Sequence, residues 1–202
     1  VTSAPGDPAP WWHTGALAWL VARAYTRSRP AAALAWAAAL ATIAPYVLRR
    51  AVYESADRDG MVIFCRYRPV LDVVVATVLG LAFFGLGFSA FVAEFDHRPL
   101  VLVVLGGILG VVLAGALLMS VGLSPTDAVG PDTPDGRRWA IMALAQRPGT
   151  RCSALLLTRR LIASLPAGDV VVAVAADESL AGAYARFGFT RTPGRRVHRV
   201  LD

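Results

Sequence analysis

Cys152 stands directly ahead of a segment with helical periodicity, residues 153–165. A helix N-terminus lowers a thiol's pKa and favours the nucleophilic thiolate. No histidine or acid lies within sequence reach of it, so a small buried thiol is the simpler reading. Cys65 is the other cysteine, and neither belongs to a CxxC pair. His13, His97 and His198 lie far apart, without metal-ligand spacing. No metal site or disulfide framework is expected. Asp72, at the edge of a long apolar run, reads as an interfacial anion near Arg66 and Arg68 rather than as part of an ion path. All 20 basic residues are arginine and the net charge is +6. These arginines fall mostly in loops flanking apolar runs, without the interleaved aromatics of a nucleic-acid face, so no nucleic-acid partner is expected.

The elements that must position any chemistry divide into two unlike parts. The chain of 202 residues is 56% apolar and 17% charged, with a mean hydropathy of +0.55. Soluble domains average roughly 45–50% apolar and about 25% charged. The excess is concentrated. Residues 73–92 and 100–123 are uncharged runs, and about 20 helical residues span roughly 30 Å, the thickness of the hydrocarbon core. The AEFDHRP between them suits a helical hairpin's turn, and Gly106 and Gly110 form a GxxxG that permits helix–helix self-association. Residues 31–48 are long enough to span, although alanine contributes little to insertion and Pro45 interrupts the run. Residues 11–26 contain Arg23 and suit an interfacial helix, with Trp11, Trp12 and Trp19 at headgroup depth. Residues 50–68 have strand-like flanks around Asp59-Gly60, a hairpin signal. Residues 1–10 are Pro-rich and acidic, without an evident cleavable signal peptide, and are expected to be disordered.

Arginine sets the expected orientation. The segment around 49–68 and the C-terminal tail are rich in it, whereas the 93–99 turn holds only Arg98. The positive-inside rule puts the first two in the cytoplasm and the turn outside, in the cell (inner or plasma) membrane. Arg23, Arg27 and Arg29 then conflict with a span over 31–48, so two spans and three both stand. The lipid bilayer is the first partner expected. A transporter reading finds little support, because the spanning runs carry no ionisable residue near the midplane.

Residues 124–137 read as a Pro/Gly/Asp linker. Beyond it, 139–145 and 169–176 read as buried strands. Residues 153–165 and 178–187 read as helices, and 188–192 and 196–201 as short strands around the Pro193-Gly194 turn. The fold class expected is a membrane α-helical N-terminal region plus an α/β C-terminal lobe over 138–202, ordered β-α-β-α-β-β.

At these residues the lobe resembles the second half of a GNAT-type acyl-CoA N-acyltransferase. The run Asp177-Glu-Ser-Leu-Ala-Gly-Ala-Tyr184-Ala-Arg-Phe-Gly188-Phe189 is similar to that family's N-x-x-A-x-x-L-Y-x-x-x-G-F block, with Asp177 in place of Asn and Leu180 in place of Ala. Residues 144–151 followed by Ser153-Ala-Leu-Leu are similar to its strand-to-helix passage. The resemblance implies a GNAT-like half-fold and acetyl-CoA as co-substrate, with an amine acceptor that nothing here names. The pantetheine arm would lie between the strands 139–145 and 169–176. Cofactor contacts would come from Ala143, Leu144 and Ala145, then from Arg147, Gly149, Thr150, Arg151, Cys152 and Ser153, and from Asp177. The Tyr184 hydroxyl would protonate the leaving thiolate. A loop entering a helix N-terminus is physically suited to a pyrophosphate, because free N–H groups and the positive dipole end point at it.

The family's loop has the form Q/R-x-x-G-x-G/A. Counted back from Ser153, Arg147 takes the first place and Thr150 and Cys152 fill the glycine places; alternatively Arg151 is the family's arginine and most of the loop is deleted. The family's front half is also expected to be missing. A competing arrangement has the two upstream helices and the 51–68 hairpin supply the family's α-α-β-β order, with the transmembrane hairpin as an insertion. Two functional readings follow: a membrane-anchored N-acyltransferase moving an acetyl or short acyl group, or an inactive membrane protein whose GNAT-like tail is a protein-docking module.

Overall fold

The computed structural model describes residues 7–26, 28–68, 70–71, 74, 128–150 and 152–202. In chain order these form α1 (Thr14–Tyr25), α2 (Arg29–Leu48), β1 (Val52–Glu54), β2 (Gly60–Arg66), β3 (Arg138–Gln146), α3 (Ser153–Ala163), β4 (Val170–Val174), α4 (Glu178–Arg186), β5 (Thr190–Thr192) and β6 (Arg196–Val200). The strands make one mixed sheet in the order β1-β2-β3-β4-β6-β5. β3 and β4 are parallel and the other neighbours antiparallel. A parallel pair needs a crossover, and α3 supplies it.

Both faces of the sheet are covered, which explains the unbroken apolar runs in its central strands. Successive strand residues point to opposite faces. Met61, Ile63, Ala140, Val170 and Val172 meet Leu17, Ala18 and Val21 of α1 and Ala35, Ala39 and Ile43 of α2. Val62, Phe64, Ile141, Val171, Ala173 and Val197 meet Leu157 and Leu161 of α3 and Ala181 and Tyr184 of α4. Each large apolar side chain so buried contributes on the order of 1.5–3 kcal/mol.

The α/β unit is therefore larger than the expected lobe over 138–202. β2 lies beside β3, with Arg66 opposite Trp139 and Gly60 opposite Gln146, so the 50–68 hairpin belongs to the same sheet as the tail. The expected boundary at 124–137 does not separate two packed units. Its described part, 128–137, is itself tied down: Ala128 and Thr133 are buried, and the Arg138 guanidinium donates to the Pro134 carbonyl at 3.0 Å. The helix expected at the bilayer surface is α1, but its buried side lies on the sheet; Leu17 and Ala18 are almost inaccessible, and Trp11, Trp12 and Trp19 remain exposed. Residues 8 and 9 are not free of structure. Pro8 bridges Tyr53, and the Ala9 N–H donates to the Val52 carbonyl at 2.7 Å, covering part of the β1 edge.

Among the described residues, one helix is long and apolar enough to cross a membrane, α2. It starts at Ser28, whose hydroxyl accepts from the Ala31 N–H at 3.3 Å, with Pro30 in its first turn. Pro45 lies inside it without ending it. Ala32, Ala35, Ala38 and Ala39 pack in the core with α1 and the sheet, Leu34 and Leu48 are exposed, and the Trp36 indole N–H donates to the Gly15 carbonyl of α1 at 3.0 Å. The expected multi-pass region thus has no support among the described residues. The expected spans 73–92 (Val74 apart) and 100–123, with Asp72 and the Gly106/Gly110 pair, fall outside them.

The strands and helices of the tail lie within two residues of their expected bounds. The hairpin turn is longer than Asp59-Gly60 implies and runs over residues 55–59. Gly60 is required for a different reason. A Cβ there would stand 2.5 Å from the Ala154 nitrogen and 2.9 Å from its Cα, both backbone atoms of α3. Gly60→Ala is therefore expected to lower stability by about 1–3 kcal/mol, the range for overpacking. Gly182→Ala, in α4 with open space around it, is expected to raise stability by about 0.5–1 kcal/mol through lost unfolded-state entropy. Denaturant midpoints of the two variants check both signs.

Candidate functional site

The site begins with one residue too many in β3. Ile63 pairs with Ala143 and Phe64 with Ile141, which leaves Met142 as a bulge. The side-chain alternation breaks there: Met142 and Ala143 both join the α1–α2 core, while Ile141 and Leu144 face the other side. A bulge bends its strand and interrupts pairing. On the opposite side of β3, the parallel ladder to β4 ends at Ile141 and Ala173, although β3 continues to Gln146. The two central strands part at this point. Ala143, Leu144 and Ala145 thus share a stretch of β3 without a ladder partner on the β4 side, and backbone groups there need other acceptors and donors.

Tyr184 lies on α4, in the core on the α3 side of the sheet. Asp177 starts the helix by accepting from the Leu180 N–H at 2.8 Å, so its carboxylate is a helix cap. Tyr184 is buried, with its ring edge-on to Phe189 at 5.1 Å between centroids. It lines a cleft of about 330 Å³ between α3 and α4, floored by Ile162 and Phe187 and flanked by Arg159, Arg186 and Arg199. Burial pushes the Tyr184 phenol well above the ordinary tyrosine range, and Tyr25 adds a smaller electrostatic push. Burial also raises Tyr25, which ends α1 and packs on the other core. Tyr184 is a neutral O–H over the physiological range, and burial makes it a weaker acid than a free phenol.

The loop from β3 to α3 differs from a phosphate cradle. Arg147 makes an ion pair with Asp59 at 3.0 Å, and its N–H donates to the Asp59 carbonyl at 2.7 Å. Thr150 folds back on Arg147, its hydroxyl donating to the Arg147 carbonyl at 2.7 Å. Gly149 has φ +89°, in the left-handed region with nothing near its Cα. Cys152 is exposed, has φ +59°, and caps α3 without a side-chain hydrogen bond. Arg151 lies outside the described residues. The Ser153 hydroxyl donates to the Asp57 carboxylate at 3.0 Å.

Asp57 comes from the β1–β2 turn and also accepts from the Ser55 hydroxyl and, at 3.1 Å, from the Asp59 N–H. The Ser55 hydrogen bond is the largest influence holding its carboxyl below the usual range; the Asp59 N–H and Ser153 add to it. A carboxylate of this chain therefore stands where an anion would be drawn to the α3 N-terminus. Leu144 packs against the same core as Tyr184, whereas Ala143 and Ala145 face the α1–α2 side of the sheet. The structure turns Arg147 and Ser153 toward the acidic hairpin and leaves Asp177 as a cap. Sequence reasoning missed Met142, Tyr25, Asp57 and Asp59. Comparison of the chain with family models, with curated proteins and with solved structures finds no match in any of the three.

Tyr184 can be tested through alkaline stability. Below pH about 10, the ordinary tyrosine pKa, the phenol is neutral in folded and unfolded chains alike. Above it the unfolded chain ionises first, unfolding releases a proton, and stability falls as pH rises toward the raised folded value. The chain has no lysine to obscure this range. Denaturant midpoints measured from about pH 9 to about pH 11 are expected to fall, and to fall less in Tyr184→Phe. Equal slopes in the two proteins would show that Tyr184 ionises as freely folded as unfolded.

Proposed function

We propose that this chain is a GNAT-type acyltransferase that moves an acetyl or short acyl group from acyl-CoA to an amine, held at a membrane by its apolar helix. The observation that carries the reading is the parting of β3 from β4 at the Met142 bulge, on a sheet whose α3–α4 core buries Tyr184. The element order α-α-β-β-β-α-β-α-β-β adds support, because it supplies the front half that the tail alone lacks. An amide-rich pantetheine arm suits the unpaired stretch of β3, where it would complete the ladder as a short strand. The amine nitrogen would attack the thioester carbon and the C–S bond would break. The Tyr184 O–H would give its proton to the leaving sulfur, and the proton lost from the amine would restore the phenol through solvent. Membrane attachment rests on the uncharged runs 73–92 and 100–123 of the sequence, on α2, which exposes Leu34 and Leu48, and on exposed Trp11 and Trp12, residues suited to headgroup depth. The cytoplasmic face of the cell membrane follows from the arginine distribution alone.

A second reading, an inactive membrane protein with a docking module, is favoured by one observation. Asp57 and Asp59 already occupy Ser153 and Arg147, the groups that would meet a pyrophosphate. Calorimetric titration of the detergent-solubilised chain with acetyl-CoA separates the two. Binding is expected, tightened roughly fivefold by Asp57→Asn, since one charge at a helix end is worth up to about 1 kcal/mol. Tyr184→Phe is expected to bind equally and to lose turnover with an amine acceptor. No heat at millimolar acetyl-CoA with either wild type or Asp57→Asn would overturn the transferase and leave the docking module.

A further inference from the structure

A second cavity, of about 550 Å³, opens on the opposite face of the sheet between α1, the start of α2, the β1–β2 turn and the β3–α3 loop. Its lining includes four arginines, Arg23, Arg29, Arg58 and Arg147, against one carboxylate, Glu54. Glu54 is already engaged, paired with His13 Nδ1 at 2.6 Å. Arg147 is held in place by Asp59. Arg23, Arg29 and Arg58 form no ion pair among the described residues. Arg23 Nη1 is buried without a hydrogen-bond partner. We propose that this cavity binds a phosphate group.

The argument begins with Arg23. A guanidinium cannot shed its charge at any ordinary pH. A buried charged donor without an acceptor is costly, and that cost falls when an acceptor arrives. Arg23 interrupts an otherwise apolar helix, a feature that neither sheet packing nor acyl transfer uses. Phosphate offers several acceptor oxygens in a compact anion, matching guanidinium forks that converge from separate elements. Leu17 and Leu20 of α1 supply an apolar wall, where water is fewer and charge pairing stronger. The volume lies within the range of small-molecule sites.

The phosphate has two natural sources: a soluble phosphorylated molecule, or a phospholipid headgroup. Both use the same four arginines, and α2, the membrane-length helix, starts at the cavity with Arg29. Arg147 is shared with the loop assigned to acyl-CoA, whereas Arg23, Arg29 and Arg58 are not, and the test ligands carry no coenzyme A, so the site is tested apart from the transferase reading.

The full chain in a zwitterionic detergent is titrated calorimetrically with inorganic phosphate and, separately, with dihexanoyl phosphatidic acid. Saturable binding of at least one is expected, weakened about tenfold or more by Arg23→Gln and by Arg58→Gln, the loss of one charged hydrogen bond. Arg160→Gln, exposed on α3 on the other face, is expected to leave it unchanged. Phosphate bound at least as tightly as the lipid assigns a soluble ligand; a clear preference for the lipid assigns a headgroup. Arg58 lies on an exposed turn, so its variant reads the site even where Arg23→Gln fails to fold. No binding of either probe at about 10 mM, or binding that Arg58→Gln leaves intact, overturns the proposal.

Discussion

At Met142 the ladder between β2 and β3 takes in one residue more on β3 than on β2. The strand bends, and its parallel partnership with β4 ends one residue earlier. Without the bulge, β3 and β4 would pair on toward Gln146, and the stretch carrying Ala143, Leu144 and Ala145 would be ordinary sheet interior. The central strands' apolar side chains supply stability; this local break in their pairing supplies somewhere for chemistry to happen.

Much of the tail was legible because its signals are local. The DVVVAVAA run needs cover on both faces and finds it. Leu157 and Leu161 recur at helical spacing and lie under α3, and Pro193-Gly194 does turn the chain between β5 and β6. The front half was less legible because its local signals admit two readings. Trp11, Trp12 and Trp19 resemble a headgroup belt, and an alanine-rich α2 resembles a weak span. Small side chains also let two helices approach a sheet closely, and that long-range packing leaves no trace in periodicity. The hairpin signal at Asp59-Gly60 was sound, but its glycine is explained by an α3 backbone that lies far along the chain.

The site was less legible than the fold. Tyr184 could be singled out from its block. Its burial depends on Phe189 and on how α4 lies against the sheet. The Met142 bulge has no compositional mark, since a methionine among apolar residues reads as plain strand. Asp57 looked like a turn residue, and it is one; its bond to Ser153 joins positions separated by the whole segment between β2 and β3. Charge arrangement at the α3 N-terminus is thus a tertiary property, and the arginine at 147 can be read either way until its neighbour is known.

The sheet's outermost strands are β1 and β5, each only three residues long. β1 is partly roofed by Pro8 and Ala9. β5 reads Thr-Arg-Thr, and its Arg191 reaches over to Glu178. Short, covered or charged borders give a foreign strand little length on which to zip. Self-association by strand addition, and with it growth into fibres, is disfavoured at both rims.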